Sequence, residues 1–353
     1  LILFSIGVNY LISKKIKENT NKNNFFFTAI IFNICFLFFF KYVDFFILNL
    51  NFFLEKNINY LNITLPLAIS FFTLQQIAYI IDTKQGINKN KSFIDYVFFV
   101  TFFPQLIAGP IVLFREVRNQ LNKNSNFFFN YNNFNLGILV FIIGLSKKVL
   151  IADPIGVYVD IGYFNYLKIN LIESWILTFA YYIQLYFDIS GYADMAIGLA
   201  LLFNIKLPIN FNSPLKQRNL ILFWQNWHIT LTRFITSYIY TPLVMKINLF
   251  SFKAAMVVTF ITMTIAGLWH GATWGFVIFG ALHGIGLVIN HLFTRTNIKI
   301  NYFISWFITL NYVNFTLIFF RSENLDQSIA ILKSMLGLNK IILPGSLEAF
   351  IGS

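Results

Sequence analysis

Charge is scarce in this chain. Asp, Glu, Lys and Arg together make up 11% of its 353 residues, where a soluble globular chain carries roughly a quarter, so a water-surrounded globule is excluded. Disorder is excluded too, because aromatic residues reach 19% and disordered chains are poor in them. Cysteine occurs once, as Cys35 in NICFLFFF, which rules out an internal disulfide and leaves a lipid-facing filler. Strands of alternating hydrophobicity are missing, and with them the signature of a transmembrane barrel. The formal charge of +12 forms no basic stripe interleaved with exposed aromatics, so nucleic acid is set aside as a partner. There are four histidines, His228, His270, His283 and His291. No Cys, Asp or Glu stands at ligand spacing around them, which argues against a zinc site.

What the chain does have is continuous apolar runs, several of them about 20 residues long, the length that crosses a hydrocarbon core. The expected fold is all-α: a polytopic membrane helical bundle. Lys and Arg fall in short stretches between the runs, first Lys14, Lys15, Lys17 and Lys22, then Lys84, Lys89 and Lys91, then Arg115, Arg118 and Lys123. That is the positive-inside pattern of cytoplasmic loops. The end of a span is expected at 1–13, and spans at 25–54 with Lys41 and Asp44 interrupting, at 64–82 with Pro66 in its first turn, and at 134–152, which carries Lys147 and Lys148. Further on, 171–203 reads as one long helix or a pair, 254–269 and 274–294 as a hairpin, 300–320 as a last span and 327–337 as an amphipathic surface helix. FIDYVFFVTFFPQLIAGPIVLFREV is broken by Pro104, Gly109 and Pro110, which predicts a hairpin entering and leaving on one face. Such backbone is tolerated at membrane depth only inside protein or beside a watery cavity. Residues 217–242 are amphipathic and suit an interface or re-entrant position. One membrane domain is expected over 1–353. The start without Met inside an apolar run, and the stop at EAFIGS, predict truncation at both ends.

Polar groups inside the apolar runs need a partner or a job. His270 lies in GLWHGATWG between Trp269 and Trp274, with Gly267, Gly271 and Gly275 removing bulk. An imidazole suits proton exchange near neutrality, and a hydrogen bond to a neighbouring helix would serve it equally well. His283, in ALHGIG, is deeper, and packing and site roles are both open; His291 is interfacial. Asp188 and Asp194, in YFDISGYADMAIG, mark either a pathway or an ion pair with Lys206, Lys147 or Lys148, and Gly191 between them permits a helix break. In FWQNWH, Trp224, Trp227 and His228 stand beside Gln225 and Asn226. An aromatic belt accounts for the tryptophans, and the polar groups could line a channel mouth.

SGYADMAIGLALLF, LPINFNSPL, FWQNWHITLTRFITSYIYTPL and GLWHGATWGFVIFGALHG resemble, in order and spacing, the membrane-bound O-acyltransferase (MBOAT) family. The branch they resemble is that of alginate and peptidoglycan O-acetylation, with teichoic acid D-alanyl transfer as its neighbour. The resemblance implies a central tunnel, with His270 as the catalytic histidine and the Pro104, Gln105 and Pro110 segment lining the cavity. It also implies that His228 sits at the family's second histidine and that Asp188 and Asp194 sit at its polar positions. Trp224, Gln225, Asn226, Trp227, Trp269 and His283 complete the supporting set. Asn226 replaces a usual Arg, and Thr236–Ser237 replace a usual Arg-Asp pair. The implied chemistry moves an acetyl group from a cytoplasmic thioester, acetyl-CoA or another acyl carrier, to a hydroxyl of a polysaccharide or of an extracytoplasmic partner transferase. No bound cofactor or metal is expected, and the implied location is a bacterial inner membrane. D-alanyl transfer and a transporter of a cell-envelope intermediate are the competing readings.

Overall fold

A backbone crossing lipid must satisfy its own N–H and C=O groups, which leaves the helix as the local solution. All regular structure among the described residues is helical. The computed structural model describes residues 1–18, 22–88, 92–107, 109–121, 128–247 and 251–338. Lys89, Lys91, Lys123 and the segment 339–353 lie outside them. Six of the described helices are long and apolar enough to cross a membrane.

The chain divides into two compact units. The first comprises 1–142, 193–210 and 228–241; the second comprises 143–192, 211–227 and 242–353.

The first unit is built on α1 (Ile2–Glu18), α2 (Lys22–Leu54) and α3 (Ile69–Lys84). Their apolar contacts centre on Ile6, Ala29, Phe72, Tyr79 and Ile80, with Tyr96, Phe99 and Phe114 from the segment that follows. A buried polar cluster joins the three helices. Asn9 donates to Asn33 Oδ1 (3.1 Å) and to Gln76 Oε1 (2.7 Å), and Ser5 donates to the same Gln76 oxygen (2.6 Å). In an apolar layer such bonds fix register, which dispersion alone does not. α3 begins at Ile69, so Pro66 lies in the preceding turn, where its carbonyl accepts from Ile69 N–H, and not in the first helical turn. Lys41 and Asp44 do not interrupt α2. A π-helical turn at Phe38–Tyr42 keeps it continuous, Lys41 donates to Ser70 Oγ (3.1 Å), and Asp44 accepts from the N–H groups of Leu61 and Asn62.

The broken stretch resolves into α4 (Phe93–Thr101), α5 (Phe103–Leu106) and α6 (Phe114–Leu121). Ser92 caps α4 by accepting from Asp95 N–H, and Pro104 occupies the first turn of α5, where its missing N–H is no loss. At nine residues, α4 is about half the length needed to span.

α7 (Tyr131–Phe164) and α8 (Leu171–Leu202) contribute to both units. α8 is one unbroken helix of 32 residues, not a pair. Gly191 therefore makes no break. Its role is close packing, since a Cβ there would stand 2.7 Å from Gly144 O and 3.1 Å from Lys147 Cβ. α7 runs through a second π turn, Lys147–Ala152, and extends well beyond the expected 134–152.

In the second unit α9 (Leu220–Asn226) is capped by Asn219. Short helices α10 (Ile229–Ile235) and α11 (Thr241–Lys246), separated by a π turn, carry the chain through the first unit and back. Then come the hairpin of α12 (Phe252–His270) and α13 (Trp274–Thr294), α14 (Tyr302–Arg321) and α15 (Leu325–Met335). The hairpin is drawn together by glycine. A Cβ on Gly280 would lie 2.5 Å from Met263 O and 2.9 Å from Gly267 Cα, so the backbones touch where side chains would otherwise hold them apart. α15 is amphipathic, and its buried face is tied inward by Gln327 Nε2 donating to Tyr163 O (2.8 Å) and Trp175 Nε1 donating to Met335 O (3.1 Å).

Candidate active site

His270 is the last residue of α12, half-buried, with Gly271 as the C-cap. Its imidazole meets the edges of three rings: Trp269 at 5.0 Å between centroids, Phe320 at 5.2 Å and Phe279 at 6.3 Å. Phe279 and Phe320 pack on each other at 4.9 Å. Gly271 matters because a Cβ there would run into the Phe276 ring. Trp269 is buried and Trp274 is half exposed. The arrangement holds an imidazole at a helix end, against apolar rings, half-buried.

His283 stands in the middle of α13, 1% exposed. Its Nδ1 accepts from Trp224 Nε1 (3.2 Å), and its Nε2 lies 2.9 Å from Thr316 Oγ1, which donates in turn to Val313 O (2.7 Å). Indole N–H only donates, so Nδ1 carries no proton and the ring is the neutral Nε2–H tautomer. Sequence reasoning had no means of finding Thr316.

The FWQNWH segment is less polar in place than in sequence. Trp224 and Trp227 are buried; Trp227 stacks on Phe223 at 5.4 Å, so neither is an interfacial belt residue. Asn226 Nδ2 donates to Leu222 O of its own helix (2.8 Å), and Gln225 is exposed. His228 is buried in the first unit, with a left-handed backbone (φ 45°), a conformation that costs a non-glycine residue free energy. Burial lowers its pKa below the ordinary histidine value.

Asp188 is an ion-pair residue. Lys148 Nζ lies 2.7 Å from both Asp188 Oδ1 and Asp153 Oδ1. Of the three candidate cations, Lys148 is the partner. Asp194, in the first-unit part of α8, is half-buried.

In the first unit Pro104, Gln105 and Pro110 are buried, and Gln105 Nε2 donates to Phe99 O (2.8 Å). Just beyond them lies a set that sequence reasoning did not single out, although Asn210, Thr230 and Arg233 fall inside the quoted motifs. Ile111 N–H donates to Thr230 Oγ1 (2.9 Å), whose hydroxyl donates to Asn210 Oδ1 (2.9 Å). Arg233 makes two bonds to Glu116, at 2.6 and 3.0 Å, and reaches Ile111 O at 3.3 Å. Their sequence signals were membership of those motifs and a pair of opposite charges, Glu116 and Arg233. Among the described residues no three His, Cys, Asp or Glu side chains gather as metal ligands would.

These site residues fall inside one matched segment: residues 83–322 fit the family described as MBOAT, membrane-bound O-acyltransferase. The chain belongs to the MBOAT family. It is thereby an acyltransferase and a multi-pass membrane protein. It is 41% identical to the peptidoglycan O-acetyltransferase of Helicobacter pylori, over 97% of this chain and 71% of that one. To the "Probable alginate O-acetylase AlgI" of Pseudomonas aeruginosa it is 34% identical, over 87% of this chain and 59% of the relative. To the teichoic acid D-alanyltransferase of Streptococcus thermophilus it is 28% identical, over 67% of this chain and 59% of the relative. The chain thus spans somewhat more than half the length of the latter two relatives.

Proposed function

We propose that this MBOAT protein, in a bacterial inner membrane, transfers an acetyl group from a cytoplasmic thioester, acetyl-CoA foremost, to a hydroxyl on the opposite side. The acceptor is a cell-surface polysaccharide or the side chain of an extracytoplasmic partner transferase. The observation that carries the reading is His270, a half-buried imidazole at a helix end, in a chain 41% identical to a peptidoglycan O-acetyltransferase.

In this mechanism His270 takes the proton of the acceptor hydroxyl as its oxygen attacks the thioester carbonyl carbon. The new C–O bond forms, the C–S bond breaks, and the proton ends on the departing thiolate. Such base catalysis contributes about 10²–10⁴-fold, and holding both reactants in one site supplies much of the rest. Relatives of the D-alanyl type share less of the chain, which favours acetyl over D-alanyl. A transporter would give the ion pairs a role but leave His270 none.

The test is membrane vesicles given radiolabelled acetyl-CoA and a polysaccharide acceptor. Label should move to the acceptor with the native chain and not with His270→Ala, while His270→Ala remains inserted and folded. Equal transfer by both would remove His270 from the mechanism, and no thioester loss with either would favour a transporter.

A further inference from the structure

Resting on that reading, we infer that His283 is a positioning residue that holds the reacting imidazole of His270 in place through Phe279 and Phe320. The path is short. His283 packs its ring on Phe279, one helical turn before it on α13, at 4.6 Å and 68°. Thr316, bonded to His283 Nε2, lies one turn before Phe320 on α14. Phe279 and Phe320 meet edge to face at 4.9 Å and both touch the His270 ring. Residues four apart share a helix face. The His283–Thr316 bond therefore sets the register of the two helices that present these rings, and Trp224 ties α9 to the same point.

The same bonds exclude a proton relay. On one side the imidazole ends at an indole that only donates. On the other it ends at a hydroxyl already committed to Val313 O. No group in this chain of bonds takes a proton in and passes it on. A neutral histidine is used because it accepts on one nitrogen and donates on the other at fixed geometry, in a site where an unmet polar group is costly. Misplacing a reacting group by about 1 Å costs on the order of 10²-fold in rate, so a loosened ring pair reads out as turnover.

The experiment measures acetyl transfer per folded molecule, at saturating and limiting acetyl-CoA, for His283→Ala, Thr316→Val and Thr316→Ser. His283→Ala and Thr316→Val should lower the maximal rate about tenfold or more, with the half-saturating acetyl-CoA concentration unchanged within about twofold. Thr316→Ser keeps the hydroxyl and should restore the native rate. A maximal rate per folded molecule within about twofold of native in both deficient variants would overturn the inference. So would failure of Thr316→Val to fold while Thr316→Ser folds, which would assign the bond to the core alone. His270→Ala serves as the control. If it is fully active, His270 leaves the mechanism, and the reading on which this inference rests fails. If it is inactive while Thr316→Val is normal, only the positioning role fails.

Discussion

One helical hairpin carries two histidines in opposite circumstances. His270 closes α12 at the turn, half-buried against three aromatic rings. His283 is buried in mid-helix with a partner on each ring nitrogen. Under the proposed mechanism the same side chain is a reactive group in one place and a hydrogen-bonded spacer in the other. What separates them is place: one closes a helix at a turn, and the other stands in mid-helix between neighbouring helices. At depth an unmet imidazole nitrogen is expensive, so α9 and α14 each provide a partner for His283. At the helix end Gly271 keeps the backbone clear of Phe276, and the His270 ring stays half-buried.

That contrast can be broken most forcefully at His270. His270→Ala should reduce acetyl transfer by about 10²–10⁴-fold with membrane insertion intact, as read by label transfer and by protease resistance in vesicles. Gly280→Val comes next, because its side chain would press on Met263 O and on Gly267. Overpacking of about 1–3 kcal/mol or more is expected, seen as a lower melting temperature in detergent and a proportionate loss of activity. Arg233→Gln removes a two-bond partner of Glu116 in the first unit. Both side chains are partly exposed, so a loss of about 1 kcal/mol is expected, with weaker dependence on salt in the variant than in the native chain. At the small end Gln225→Ala should change thermal stability by no more than about 0.5 kcal/mol, because Gln225 is exposed. A large loss there would mean that Gln225 meets something outside this chain.

Much of the architecture was legible beforehand for a simple reason: lipid admits only long apolar helices, and these are written as contiguous runs. The α12–α13 hairpin with His270 at its turn, the last span over Tyr302–Arg321 and the broken stretch around Pro104 all follow from local sequence. Helix continuity was harder to read. Lys41 looked like an interruption, yet a π turn absorbs it, because one extra residue in a turn costs less than ending a helix inside the apolar layer. Gly191 looked like a break and is a packing contact. Its missing side chain is equally consistent with both, and only the neighbouring backbone of Gly144 distinguishes them.

Local composition and order of motifs thus determined that this is a multi-span helical protein, where its loops fall, and that His270 is the reactive candidate. Each of these depends on residues close together in the chain. Folding in three dimensions decided the pairings. Asp188 bonds to Lys148, Arg233 to Glu116, and His283 to Trp224 and Thr316. Each partner lies tens of residues away in the sequence, and no local pattern selects it from other groups of like chemistry. The physical reason is that a polar group in an apolar layer is satisfied by whichever helix packs beside it, and packing is settled by side-chain shape and glycine-sized gaps across distant segments.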